Sequence, residues 1–260
     1  MAFTKPHLLD YYELENPWDI NMVHGVNDKE RFKSYLNNPS VHLFEVDVEN
    51  NGGNIEHITL KHEGIGNVPF AWAIKKLIKH KKALKLDLKL LKGNPYESGF
   101  YNCALGILRK RWDTKIPVWI NADVLRGPNW ENSNHEYLDP MDFVQLYNFY
   151  HKNNPKATIS LGYITSFKDG AIVQPYTVEM LNQMREVVKN VKGQATIALR
   201  YINLMEHPKI LPGFLELGSV TIWNREDKIS VGQFNQLKKR VRSLNVFKDL
   251  TGLDGKPMWD

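Results

Sequence analysis

Phe44-Glu45-Val46-Asp47-Val48 alternates carboxylates with valines. Side chains of a β-strand alternate between its faces with a period of two, so both acids share one face and the valines the other. Two further stretches repeat the pattern. In Lys85-Leu86-Asp87-Leu88-Lys89 three charges oppose two leucines, and in Val118-Trp119-Ile120-Asn121-Ala122-Asp123 the polar pair Asn121 and Asp123 sits two residues apart. The question is what structure would bury the apolar side of each and still tolerate such a polar side.

β-branched or alternating segments recur along the chain at Asp19–Val26, His42–Glu49, His57–His62, Ala83–Lys89, Pro117–Asp123, Thr158–Ile164, Ala195–Tyr201 and Ser219–Asn224. Between most of them, apolar residues at three- and four-residue spacing mark helices. Val68–His80, Pro140–His151, Thr177–Val191 and Ser230–Leu244 are the clearest, the second with Asp139 as N-cap and Pro140 at its first position. Eight strands interleaved with helices over about 250 residues predict an α/β fold of the (β/α)8 TIM barrel type. A doubly wound open sheet competes, but it carries a Gly-rich first turn that is absent here. One connection is irregular. Only Asn50–Glu56 joins the second predicted strand to the third, too short for a helix crossover and resembling a hairpin turn. Without repeats or linker-like stretches, residues 1–260 read as one domain, with its barrel core at about 18–247.

Composition narrows the class. Of the 260 residues, 42% are hydrophobic and 11% aromatic, enough for a sizeable core, which excludes wholesale disorder. No apolar run approaches the roughly 18 residues of a membrane-spanning helix. The single cysteine, Cys103, excludes an internal disulfide or a Cys-based zinc site. A net charge of +5 suits an anionic partner without demanding nucleic acid. The basic stretches Lys75–Lys89 and Lys238–Arg242 read as solvated helix faces, and no nucleic-acid motif accompanies them. The amino terminus lacks the apolar core of a signal peptide, and no Asn-x-Ser/Thr acceptor occurs. A complete chain would on this ground be cytosolic, whereas a trimmed one leaves secretion open.

In a barrel the apolar strand faces pack on the helices, so the charged faces point inward. Amphipathic strands with a solvated polar face would explain one isolated pair, but barrel strands offer no solvated face. Unpaired buried carboxylates are costly, and a divalent cation removes the cost. Hard oxygen donors select Mg2+ or Ca2+. Glu45, Asp47 and Asp87 are therefore the candidate ligands of one such ion, with Lys85 and Lys89 serving a bound anion or balancing surplus carboxylates. His24 and His62 end the first and third predicted strands, on the face where barrel active sites gather. Beside a carboxylate cluster they suit general acid and base roles.

The order of these residues, His then Glu-x-Asp then a second His, resembles that of phosphodiesterases of the phospholipase-C-like barrel superfamily. Glycerophosphodiester phosphodiesterases and spider sphingomyelinase D toxins share it. Asp87-x-Lys89 is similar to the toxins' third metal ligand and nearby lysine, and Trp223 to their substrate-side tryptophan. The chain resembles the menorin family more closely still, through Phe44–Val48, Ala83–Lys89, Pro117–Asn129, Ile159–Tyr163 and Val220–Trp223. There are departures. The family's His-Pro-Pro-like turn is replaced by His62-Glu63-Gly64, Gly162-Tyr163-Ile164-Thr165 has Tyr and Ile where Trp and Thr are expected, and Lys92–Gly99 has no counterpart.

The resemblance implies a divalent-metal-dependent phosphodiesterase. The two histidines would move protons, Lys85, Lys89 and Arg200 would hold the phosphate, and Asn121 and Asp123 would orient a lysine, a water or the substrate. Attack by a neighbouring substrate hydroxyl, giving a cyclic phosphate, is as consistent with it as hydrolysis. The rival from another class is a recognition scaffold whose barrel keeps the charged residues without turnover.

Overall fold

The computed structural model describes residues 5–49, 58–91, 98–166 and 172–259. In chain order its elements are α1 (His7–Tyr12), β1 (Met22–Val23), α2 (Lys29–Leu36), β2 (Leu43–Glu49), β3 (Thr59–His62), β4 (Ile65–Pro69), α3 (Phe70–Lys79) and β5 (Ala83–Leu91). Then come α4 (Ser98–Arg111), β6 (Val118–Arg126), β7 (His135–Glu136), α5 (Pro140–His151), β8 (Ala157–Ile164) and α6 (Val178–Val188). The chain continues with β9 (Gln194–Arg200), α7 (Tyr201–Glu206), α8 (Leu211–Leu215), β10 (Ser219–Trp223), α9 (Val231–Val241) and β11 (Val246–Asp249).

Eight strands pair in the order β1-β2-β5-β6-β8-β9-β10-β11, every neighbouring pair parallel. A parallel bridge between Asn21 and Lys248 brings the last strand to the first. This is the expected TIM barrel, with two corrections to its strand list. His57–His62 is not the third barrel strand: β3 pairs antiparallel with β4 in a separate hairpin. The reason is burial. A barrel strand is covered on both faces, as all seven residues of β2 are, whereas β3 buries only Leu60. The eighth strand is instead β11, which the sequence reading left out. The short connection at 50–56 lies outside the described residues, as do 92–97 of the stretch without a family counterpart.

Helices form where the sequence places them. Asp139 accepts from the Met141 and Asp142 amides, Thr177 from the Met180 amide, and Ser230 and Gln233 close a reciprocal capping box. The outward faces of the strands and the inner helix faces make one continuous core, from Trp18 and Phe44 to Phe214 and Val246. A smaller cluster plugs the amino-terminal end of the barrel, where Leu8 and Leu9 of α1 meet Leu43, Ala83, Trp119 and Phe247. Trp119 and Phe247 pack edge to face there, with ring centroids 4.9 Å apart. With that end closed by carbon, the opposite mouth is left for polar groups.

Candidate active site

Parallel in-register pairing assembles the site. Glu45 lies beside Lys85, Asp47 beside Asp87 and Glu49 beside Lys89, and on the next strand Asp87 lies beside Asn121. Neighbours in register share a face, so the charged faces of β2, β5 and β6 become one wall inside the barrel. Glu45, Asp47, Lys85, Asp87 and Asn121 are all buried. Glu45, Asp47 and Asp87 each offer an oxygen, and these atoms lie within 4.8 Å of one another. All donors in this set are hard oxygens, the chemistry that suits Mg2+ or Ca2+.

The surrounding contacts fix the wall. Lys85 Nζ lies 3.4 Å from Glu45 Oε1 and 3.9 Å from Asp249 Oδ2. Lys89 Nζ lies 2.6 Å from Asp87 Oδ2 and 4.0 Å from Asp47 Oδ1. The Asn121 amide donates to Asp87 Oδ1 at 2.7 Å and its carbonyl accepts from Ser160 Oγ at 2.5 Å. Asn27 clasps Asp47 from both sides: its amide donates to Oδ2 at 2.5 Å, and its carbonyl accepts from the Asp47 backbone amide at 2.9 Å.

His24, just past β1, turns Nδ1 toward two carboxylates, Glu45 Oε2 at 2.6 Å and Asp249 Oδ2 at 3.0 Å. Burial disfavours its cation, yet Glu45 and Asp249 outweigh this and raise it to about 10. Asp249 is correspondingly held well below the usual carboxylate range by His24, against its own burial. The other acids fare differently. Burial pushes Asp47 up to about 7, with Asp87 and Glu45 adding to the shift and Lys89 opposing it. Asp123 is likewise driven up to about 7 by burial, with Lys89 opposing and Asp87 adding. Acids thus outnumber cations in the wall, with Asp47 and Asp123 held against their ionisation by burial and by neighbouring acids. A divalent cation among the converging oxygens of Glu45, Asp47 and Asp87 would relieve that opposition, so the residues fit such a group.

His62 reaches the same mouth by another route. It ends β3 of the hairpin, not a barrel strand, and its Nε2 accepts from Arg225 Nη1 at 3.0 Å. Burial, then Lys89 and Arg225, push its ring down to about 3, so it is neutral. The hairpin turn is tethered by Glu49, whose two oxygens accept the backbone amides of Glu63 and, at 2.9 Å, Gly64. Glu49 is the third acid of the alternating stretch, and its buried carboxylate positions the turn next to His62. His135 of β7 packs edge to face on His62, with centroids 5.4 Å apart.

Arg200, at the end of β9, is buried and engaged. Its Nε and Nη2 donate to Asp227 Oδ1 at 3.0 and 2.7 Å, and Nη2 also to Glu226 Oε2 at 2.9 Å. Its guanidinium lies 5.1 Å from the centre of the Trp223 ring. His24, Lys89, Asp123, Arg200, Trp223 and Arg225 all line one cavity of about 300 Å3, space for a small ligand. All eleven residues singled out from the sequence therefore meet at this mouth, ten on the cavity or its rim and Asp47 just beneath it.

Four neighbours were missed. Asp249 escaped because β11 was not recognised, although Val246-Phe247-Lys248-Asp249 carries the same alternation. Glu49 carried the alternation signal too. Asn27 and Arg225 lie in loops and gave no signal.

Gly162 shows how closely the wall is fitted. A Cβ there would lie 2.2 Å from Asp123 Oδ1. Gly162→Ala is expected to destabilise the protein by about 1–3 kcal/mol, the usual cost of overpacking. In urea denaturation the Gly162→Ala/Asp123→Ala double variant should be less destabilised than the sum of its single variants; strict additivity would mean that the two do not share this space.

Residues 16–253 match the model of the Menorin N-terminal domain. The human Protein FAM151B is 25% identical over 247 residues, covering 91% of this chain and 84% of that protein. Among solved structures, 3-dehydroquinate dehydratase from Enterococcus faecalis superposes with a TM-score of 0.53 over 90% of this chain and 89% of that one. At 10% identity, that likeness is one of fold alone.

Proposed function

The chain belongs to the menorin family, and from that premise we propose that it is a divalent-metal-dependent phosphodiesterase. The observation that carries this reading is the convergence of three buried carboxylate oxygens within 4.8 Å at the barrel mouth, beside a histidine held by two carboxylates. Glu45, Asp47 and Asp87 would hold Mg2+ or Ca2+. When bound, such an ion supplies Lewis-acid neutralisation of a non-bridging phosphate oxygen.

The chain's own residues account for the rest. Lys89 and Lys85 stand beside the carboxylates and offer positive charge to the phosphate. Arg225, 43% exposed in its side chain, is the more available guanidinium, while Arg200 keeps Asp227 and Glu226 in place and lies against Trp223, which would border the substrate. Glu45 and Asp249 fix the His24 ring through Nδ1, leaving Nε2 to exchange a proton with substrate. Nε2 of His62 carries a lone pair once Arg225 turns to the phosphate. The pair would divide acid and base duties between nucleophile and leaving oxygen. Asn121 orients Asp87, and Asp123 would accept a substrate hydroxyl or water.

One observation favours the rival scaffold reading: Lys89 already compensates Asp87 at 2.6 Å. The experiment is turnover of glycerophosphodiesters, phospholipids and cyclic nucleotides by the purified protein, in Mg2+, in Ca2+ and in excess EDTA. Hydrolysis or cyclisation that EDTA abolishes is the expected result. No turnover of any of the three classes with either ion would overturn the phosphodiesterase reading and leave the scaffold.

A further inference from the structure

At the rim beyond the ends of β2 and β5, three side chains that share no residue with the carboxylate set converge. His62 and Glu63 come from the hairpin turn that Glu49 tethers. His135 comes from β7, held by antiparallel pairing with β5. Glu63 Oε2 lies 3.9 Å from His62 Nδ1, and Glu63 Oε1 lies 3.8 Å from His135 Nε2. One atom from each falls within 4.8 Å of the others. We infer that His62, Glu63 and His135 form a second metal site, selective for a tetrahedral transition-metal ion of the Zn2+ class.

The donor chemistry sets the ion. Two imidazoles and a carboxylate suit Zn2+ and leave a fourth position open, whereas Mg2+ and Ca2+ prefer oxygen alone. Ligand atoms about 2.0–2.1 Å from a tetrahedral ion lie roughly 3.3–3.4 Å apart. The two Glu63–His separations thus need to close by about half an ångström, which Glu63, with 46% of its side chain exposed, can supply by swinging, and the three donors together start from within 4.8 Å of one another. A second observation points to a missing ligand. Both ring nitrogens of His135 are buried, and with the Leu90 backbone engaging the ring one of them is left without a hydrogen-bond partner among the described residues. Buried polar atoms are rarely left idle, and an ion on Nε2 would engage one of these.

Arg225 gives the site a distinguishing sign. While Arg225 Nη1 donates to His62 Nε2 at 3.0 Å, the ring proton belongs on Nδ1, the atom that faces Glu63. Ligation through Nδ1 moves that proton to Nε2, and the guanidinium must then leave. It has a second position at hand, because its Nε already lies 3.3 Å from Glu226. Arg225 and the ion therefore compete for His62, and removing the arginine tightens metal binding. On the phosphodiesterase reading, an ion here also withdraws His62 from proton transfer and inhibits turnover. Binding itself does not depend on that reading.

The test uses Co2+ as a spectroscopic probe of the full chain, with millimolar Mg2+ present to occupy the carboxylate cage. The expected result is an intense visible absorption of tetrahedral Co2+ that saturates at one equivalent and is displaced by Zn2+. His135→Ala should weaken binding at least tenfold, and Arg225→Ala should tighten it severalfold. The Glu45→Gln/Asp47→Asn variant should bind as wild type does. Circular dichroism confirms that each variant is folded. Only weak octahedral absorption, or intense absorption unchanged by His135→Ala, overturns the site. So does a signal lost in Glu45→Gln/Asp47→Asn, which would assign the ion to the carboxylates.

Discussion

Asp47→Asn is expected to abolish metal-dependent turnover and, at the same time, to raise the melting temperature of the ion-free protein at pH 8. The two effects have one cause. Asp47 is buried among Glu45 and Asp87, with Lys89 no nearer than 4.0 Å, and its carboxyl is pushed from an ordinary 3.8 to about 7. A folded value above the unfolded one means that the ionised acid opposes folding. The penalty is absent below about pH 4, grows as pH rises toward 7, and is complete above it. Asparagine keeps an oxygen for the Asn27 amide and removes the charge. Since about 1 kcal/mol moves the midpoint of a domain this size by roughly 2–4 °C, the gain should be a few degrees at pH 8 and vanish near pH 4. Mg2+ or Ca2+ should then reverse the ranking, stabilising wild type by mass action and leaving the variant where it was. Differential scanning calorimetry with and without the ion reads both. A variant as responsive to Mg2+ as wild type would remove Asp47 from the cage.

His24→Ala and His62→Ala are each expected to lower turnover by a factor of about 10^2–10^4 at saturating metal, the usual worth of a positioned acid or base. Their stabilities should part in opposite directions. His24 is raised to about 10, so its charge stabilises the fold below about pH 6.5, and that contribution is lost as pH rises through 10. Removing it should cost stability at pH 7 and cost least above pH 10. His62 is depressed to about 3, so the folded state resists its protonation, and its burden grows as pH falls from 6.5 toward 3. Removing it should therefore gain stability at pH 4–5. Urea midpoints across pH distinguish the two. Turnover unchanged in either variant would exclude that histidine from the chemistry.

The sequence made the polar wall legible because a barrel strand reports its inward face directly through alternation. Glu45, Asp47, Lys85, Asp87 and Asn121 needed only parallel register to become neighbours. The same rule misled at His57–His62, where four alternating residues form a hairpin strand, because alternation does not say which sheet a strand joins. Counting that segment filled the eighth place, so Val246–Asp249 went unread, and with it the second carboxylate on His24. The role of Arg200 was equally opaque, since its partners Asp227 and Glu226 lie in the loop after β10 and only the folded chain brings them to it.

The bridge from Asn21 to Lys248 has a consequence for biosynthesis. As a ribosome extrudes the chain, seven of the eight staves emerge before the one that bears Asp249. Until then His24 has one carboxylate for company, and the incomplete cylinder exposes an unpaired edge on either side. Maturation of the pocket is thereby deferred until β11 has emerged, so a nascent chain stalled before residue 246 holds the other seven staves and none of the closure.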